Sequence, residues 1–246
     1  MERTLSIVIP AYNEQDRLGG SLEKISDYLA GAHPEAELIV VDDGSADKTA
    51  DVAESVFAKR EIIDARVIRY DKNRGKGFAV RTGFEAAKGA VALFSDADLS
   101  TPITELPKLV DPIFDDEYDV TFGSRALDRS LIGVHQPWRR EQGGKVFNLL
   151  VRTFTGLPFW DTQCGFKAFR MDRFRPLLEK MAIDRFGFDV EFLYAAHHNG
   201  LRLKEIPVRW DHCDGTKVSI FRDSVRMFTE VREIRKRGRS GRYNGQ

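Results

Sequence analysis

The sequence has little cysteine, no long apolar run and no net charge, and each absence excludes a class of protein. Two cysteines among 246 residues, Cys164 and Cys213, lie far apart and in no C-x-x-C pattern, so no disulfide framework is implied and a reducing compartment suits the chain. The longest apolar stretch, Val146 to Trp160, is broken by Arg152 and Pro158. It falls short of the ~20 residues that span a bilayer, which sets aside an integral membrane protein. The N-terminus passes from Met1-Glu2-Arg3-Thr4 directly into Leu5-Ser6-Ile7-Val8-Ile9 and has no h-region of signal-peptide length. With 42% hydrophobic residues the chain is not mainly disordered. At this size a core buries roughly three quarters of the unfolded surface, and neither disulfides nor a structural metal are needed to hold it.

Lys and Arg together number 38, as do Asp and Glu, but the balance is not local. From Arg222 to Arg242 eight basic residues stand against three acidic ones, so this end carries +5 and residues 1–221 carry −5. One end is built to meet anions.

The N-terminal half alternates β-branched runs with helical patterns. Strands are expected at Leu5–Ile9, Leu38–Val41, Val67–Tyr70, Val91–Phe94 and Val120–Phe122. Between the first two, Leu18, Leu22, Ile25 and Leu29 recur at helical spacing; Ala50, Ala53 and Phe57 do so after the second, with Ser45 as the expected helix cap. Such alternation predicts a mostly parallel α/β sheet with helices on both faces, whose ligands bind beyond the carboxyl ends of the strands.

Two of those ends are acidic. Val40-Val41 runs into Asp42-Asp43-Gly44-Ser45, and Leu93-Phe94 into Ser95-Asp96-Ala97-Asp98. Carboxylates in this setting suit a hard divalent cation, although aspartates also cap turns and helices. Between them, Asn73-Arg74-Gly75-Lys76-Gly77 opens a helical stretch at Phe78–Lys88. Its glycines allow backbone N–H groups to approach a phosphate, with Lys76 as a point charge. It is neither a Walker loop nor a dinucleotide fingerprint.

In this order Ile7-Val8-Ile9-Pro10-Ala11-Tyr12-Asn13-Glu14, Val40-Val41-Asp42-Asp43-Gly44-Ser45, Asn73-Arg74-Gly75-Lys76-Gly77 and Asp96-Ala97-Asp98-Leu99-Ser100 resemble the donor half of a family-2 inverting glycosyltransferase of GT-A fold. The resemblance implies that Pro10, Tyr12, Glu14 and Asp42 or Asp43 line the base and ribose pocket, that Lys76 and Asp96 sit beside the nucleotide, and that Asp98 binds Mg2+ or Mn2+ on the donor diphosphate. Further on, Phe122-Gly123-Ser124-Arg125, Asp161-Thr162-Gln163-Cys164-Gly165-Phe166-Lys167 and Phe186-Gly187-Phe188-Asp189-Val190-Glu191 resemble the polyprenyl-phosphate sugar synthases, the second of them most closely the dolichyl-phosphate glucosyltransferases. Mannose-type synthases more often carry Gln where Ser100 stands.

Such an enzyme is expected to move glucose from UDP-glucose to a polyprenyl phosphate, GDP-mannose or a hydroxyl acceptor being the alternatives. A phosphate monoester needs no general base, because its second pKa is about 6 and the attacking oxygen is already anionic. Its difficulty is repulsion from the donor diphosphate: two like charges 4 Å apart repel by about 4 kcal/mol at an effective dielectric of ~20, which positioned guanidinium groups can offset. By the resemblance these are Arg125 and Arg140, with Arg139 as the register alternative, while Lys217 stands near the diphosphate. Gln163, Asp189 and Glu191 are assigned to positioning the acceptor and sugar; Asp189 or Glu191 would be the base for a hydroxyl acceptor. No catalytic thiol is expected at Cys164. A regulatory nucleotide-sugar-binding protein would have no need of the acceptor-side arginines.

A GT-A domain over residues 1–221 is thus expected, with its donor half in about 1–100 and its acceptor half in 101–221, followed by an amphipathic helix and basic tail over 222–246. Phe221, Val225, Phe228, Val231 and Ile234 form that helix's apolar stripe, which either docks on a membrane or packs on its own domain. Val146–Trp160 is a second candidate, for cradling a prenyl chain. The expected setting is cytoplasmic, peripheral at a membrane surface or beside a membrane partner protein. No pattern of stacking aromatics and basic residues supports nucleic acid.

Overall fold

The computed structural model describes residues 2–60, 64–213 and 220–244, of which 139, 140 and 220–225 are described for their backbone alone. The chain runs β1 (Leu5–Ala11), α1 (Leu18–Ala32), β2 (Glu37–Asp42), α2 (Thr49–Arg60), β3 (Ala65–Arg69), α3 (Lys76–Ala86), β4 (Val91–Ser95), α4 (Leu106–Phe114), β5 (Val120–Ser124), β6 (Ile132–Val134), α5 (Trp138–Thr155), β7 (Phe166–Arg170), α6 (Met171–Leu178), α7 (Phe188–His198), β8 (Leu203–Pro207), β9 (Trp210–Asp211) and α8 (Ile220–Arg239). Seven strands form one sheet in the order β3-β2-β1-β4-β7-β5-β8, and β6 pairs with β9 beside it. Every pairing in the large sheet is parallel except those of β7, which is antiparallel to both β4 and β5.

Alternate residues of the strands feed two apolar layers, as period-2 geometry requires. Ile7 and Ile9 join Leu18, Leu22, Ile25, Leu38 and Val40 on one face. Val8 joins Val41, Phe84 and Phe94 on the other. That second layer is largely aromatic: Phe169 and Phe174 lie 4.3 Å apart and Phe188 meets Phe192 edge-on at 5.4 Å.

The strand order reverses between β1 and β4, and their ladder runs only from Leu5↔Val91 to Val8↔Phe94. Pro10, which cannot donate to a ladder, stands past that point while still in register with Val41 of β2. A crevice therefore opens at the carboxyl ends of β1, β2 and β4, where a sheet of this kind receives its ligand.

Three local expectations change, and one left open is decided. Ser45 does not cap α2: its hydroxyl accepts from Asn13 N at 2.8 Å. Asp47 serves instead, Oδ1 accepting from Thr49 N at 3.0 Å and from Thr49 Oγ1 at 2.5 Å. The Gly75 loop is not an open phosphate cradle, because Asp43 takes its N–H groups, from Arg74 at 2.8 Å and Gly75 at 2.8 Å. Gly75 is required by its φ of +113° and by Asp184 O, which a Cβ would overlap. Val146–Trp160 is helical only as far as Thr155, since Gly156 at φ +76° ends α5. Lastly, of the two outcomes left open for the C-terminal helix, its described part packs on its own domain. Met227, Val231 and Ile234 of α8 are buried, Phe228 packs edge-on against Phe154 at 5.1 Å, and Tyr243 is wholly enclosed. Phe221 and Val225 belong to the residues described for backbone alone. Among the described residues no helix is long and apolar enough to cross a membrane.

Candidate active site

A cleft of about 350 Å³ lies over the carboxyl ends of the strands and takes residues from both halves of the chain. Lys76, Asp96, Asp98, Arg125, Gln163 and Asp189 all line it, so six residues singled out from sequence converge there.

The Asp-Ala-Asp turn shows how local sequence aims the carboxylates. Ala97 is tucked into the apolar layer below, Leu99 takes a φ of +49°, and Leu99 N bonds back to Asp96 O at 3.1 Å. Asp96 and Asp98 are thereby both turned to the cleft. Asp96 meets Lys76 Nζ at 2.5 Å and rests against Gly165, where a Cβ would overlap its carboxylate. Asp98 accepts Ser100 N at 3.0 Å and has Arg17 Nη1 at 3.9 Å. Burial, and then the charge of Asp96, push the Asp98 carboxyl above the usual range. A carboxylate in this setting has the chemistry that suits a hard cation.

Across the cleft the described cations Arg125 and Lys167 each have a carboxylate. Arg125, at the end of β5, forks onto Asp161 with Nε to Oδ2 at 2.7 Å and Nη2 to Oδ1 at 2.8 Å, and its backbone N adds a third bond at 3.0 Å. Glu205 of β8 holds Asp161 in turn, accepting its N–H at 2.7 Å and the Ser124 hydroxyl at 2.7 Å. Burial opposes the charge on Asp161, but the Arg125 guanidinium outweighs it and keeps the carboxyl at about 2. Trp210 lies under the guanidinium at 5.4 Å. Lys167, wholly buried, donates to Asp189 Oδ1 at 2.5 Å and to Cys164 O. Burial pushes the Cys164 thiol up to about 11, which leaves it inert.

The remaining sequence candidates are divided. Pro10, Tyr12, Glu14, Asp42 and Asp43 lie at the β1 and β2 ends, outside the cleft lining. Both Asp43 oxygens are taken by the Asn73–Gly75 backbone and side chain. Asp42 differs: Oδ1 accepts Ser45 N at 2.9 Å, while buried Oδ2 has no hydrogen bond and faces Arg69 Nε at 3.4 Å. Glu14 is forked by Arg17, with Nη2 to Oε1 at 2.8 Å. Glu191 is not a cleft residue, contrary to expectation. Its carboxylate, fully buried, accepts Ala182 N at 3.0 Å, Ile183 N at 2.9 Å and Tyr243 Oη at 2.6 Å, which fixes the loop before α7 and the C-terminal turn. Arg139 and Arg140 are placed at the start of α5 by their backbone, and Lys217 lies outside the described residues.

Asp161, Lys167, Trp210 and Arg17 were not singled out. The first two stand in the Asp161–Lys167 motif itself and could have been found by asking which acid a buried arginine needs; Arg17 carries no signal beyond its place three residues after Glu14.

Among the described residues no three of His, Cys, Asp and Glu are placed to hold a metal by themselves. Asp98 nevertheless fits a hard cation bound through one carboxylate and the oxygens of a phosphate ligand, which is how Mg2+-type sites are commonly completed.

Residues 6–178 match the model described as Glycosyl transferase family 2. The chain is 37% identical over 231 residues to a dolichyl-phosphate beta-glucosyltransferase of Drosophila melanogaster, covering 88% of this chain and 70% of that one. It is 32% identical over 241 residues to a dolichyl-phosphate beta-glucosyltransferase of Dictyostelium discoideum, covering 94% and 73%. Among solved structures it is similar to glucosyl-3-phosphoglycerate synthase from Mycobacterium tuberculosis in complex with Mn2+, UDP-glucose and phosphoglyceric acid, with 20% identity, a TM-score of 0.71 and coverage of 96% and 80%. That last likeness is one of fold.

Proposed function

Because the chain belongs to glycosyltransferase family 2, we propose that it transfers glucose from UDP-glucose to the phosphate of a polyprenyl, dolichyl-type lipid, with inversion at the anomeric carbon. The observation that carries the choice of acceptor is the pairing of Asp189 with Lys167 at 2.5 Å. A hydroxyl acceptor needs a base, and both buried acids at the acceptor side of the cleft among the described residues are tied to cations, Asp189 to Lys167 and Asp161 to Arg125. A phosphate oxygen needs none.

On the donor side, Asp42 Oδ2 offers an acceptor to a base N–H, Tyr12 and Glu14 flank the strand end, and Lys76 with Asp96 stands beside the diphosphate. Asp98 would hold Mg2+ or Mn2+, which, when bound, offsets the charge that develops on the departing diphosphate. Lys217 belongs to this side by its place in the motif. On the acceptor side, Arg125, rigidly forked by Asp161, presents its remaining N–H groups to the lipid phosphate, with Arg140 as the second guanidinium and Gln163 at the sugar. The phosphate oxygen attacks the anomeric carbon as the bond to the UDP oxygen breaks on the opposite face. No proton is moved. The acceptor being a lipid, the reaction is placed at a membrane surface, on its cytoplasmic face.

Labelled UDP-glucose and GDP-mannose, each offered with a short polyprenyl phosphate or the corresponding alcohol, with Mg2+, Mn2+ or EDTA, test the reading. Transfer from UDP-glucose to the phosphate, abolished by EDTA, is expected. Transfer to the alcohol, or from GDP-mannose alone, would overturn it.

A further inference from the structure

Of the eight large apolar side chains exposed among the described residues, five belong to α5 or follow it: Trp138 (73%), Val146 (59%), Leu149 (61%), Leu150 and Trp160 (55%). Those on the helix fall within about a third of its circumference at 3.6 residues per turn. Phe147 and Val151, on the opposite side, are buried. Next to this arc, Phe154 and Arg232, Arg235, Lys236 and Arg239 of α8 line a second groove. None of the four cations has an acidic partner among the described residues. Of the α8 stripe, Val231 and Ile234 are buried in the core and Phe228 packs on Phe154, so the described ingredients of an interfacial surface sit on different helices.

We infer that the exposed arc of α5, with the basic groove of α8 beside it, is a docking surface for an anionic lipid bilayer. The charge decides the occupant: uncompensated cations next to apolar side chains suit acidic headgroups over acyl chains, and tryptophans at both ends of the arc suit the boundary between them. Arg152, stacked 3.7 Å over Trp160, keeps its charge at that boundary. Gly143, Gly144, Phe147 and Asn148 of the same helix line the catalytic cleft, so docking α5 sets the cleft mouth at the lipid surface. This rests on the lipid acceptor proposed above.

The test is flotation with vesicles of phosphatidylcholine alone or mixed with phosphatidylglycerol, containing no polyprenyl phosphate, so that it does not depend on the reaction. The full chain is expected to bind the mixed vesicles and to release with salt. Arg235→Gln with Lys236→Gln should weaken low-salt binding roughly 25-fold, about fivefold for each cation, and flatten the salt dependence. Val146→Glu with Leu149→Glu should abolish binding at either salt. Both pairs should retain wild-type turnover of a short, water-soluble acceptor. Failure of the wild-type chain to float, floating by the α5 pair, or a mass by light scattering that falls from dimer to monomer in that pair would overturn the inference, the last in favour of a second copy of the chain. Loss of transfer with vesicle binding intact would count against the reaction, not the surface.

Discussion

The two sides of the cleft, which the proposed reaction assigns to donor and acceptor, differ in their electrostatics. On the donor side the described cations are spread thin: Lys76 is engaged with Asp96 at 2.5 Å, while the cation nearest Asp98 among the described ion pairs is the Arg17 guanidinium at 3.9 Å. On the acceptor side Arg125 is forked by Asp161 and Lys167 is paired with Asp189. On the proposed reaction, the side that receives a cation with its ligand is the one left short of positive charge. A side that must receive an anion keeps its cations paired until it arrives, because an unpaired buried charge costs several kcal/mol.

That contrast breaks first at Asp98. Asp98→Asn should lower transfer by roughly a thousandfold, the scale of removing a principal stabiliser of developing charge. Its folded-state pKa is raised, so the ionised form costs stability as pH rises through that value. Asn cannot ionise, and the variant should melt no lower than wild type at neutral pH. Thermal unfolding beside kinetics checks both halves; unimpaired turnover would remove Asp98 from the reaction.

Asp161→Asn attacks the other side. It strands a half-buried guanidinium and should cost about 2 kcal/mol of stability, the scale of hydrogen bonds to a charged group, with the acceptor KM raised more than the donor KM. The pair also dictates an acid limit. Asp161 is held at about 2, below its unfolded value of 3.8, so its contribution is complete above 3.8 and is lost as pH falls toward 2. Arg125→Ala should abolish that contribution and move acid unfolding upward. Acid titrations followed by circular dichroism would show it, and coincident curves would break the pairing argument.

How far this was legible depended on the distance between partners along the chain. The donor half is built from short βα units whose periodicity is local. Strands at Leu5–Ala11, Glu37–Asp42 and Val91–Ser95 were therefore readable to within two residues, and so was the convergence of Asp96 and Asp98. The antiparallel β7 was not, because Phe166–Arg170 inserts between β4 and β5 from later in the chain and nothing in its own pattern says so. Arg125 was found by its motif, but its partner stands 36 residues away, and the support from Glu205 further still. Local cues also misled. Ser45 has the chemistry of a cap, yet Asn13 claims its hydroxyl, and Gly75-x-Gly77 has the look of a phosphate loop while Asp43 fills it.

Glu191 sharpens the comparison with the smallest effect. It lies two residues from Asp189 on one helix, and from sequence the two are alike; burial separates them. Asp189 lines the cleft, whereas Glu191 is bonded to Ala182, Ile183 and the Tyr243 hydroxyl. Burial pushes its carboxyl above the usual range and makes each of those bonds matter. Tyr243→Phe removes one of three partners and should cost about 1–2 kcal/mol, the loss of a hydrogen bond to a buried acid, while leaving the KM of donor and acceptor unchanged. Urea unfolding alongside steady-state kinetics decides it. A variant of normal stability and altered KM would return Glu191 to the site, and with it the reading that both acids of the motif face the substrates.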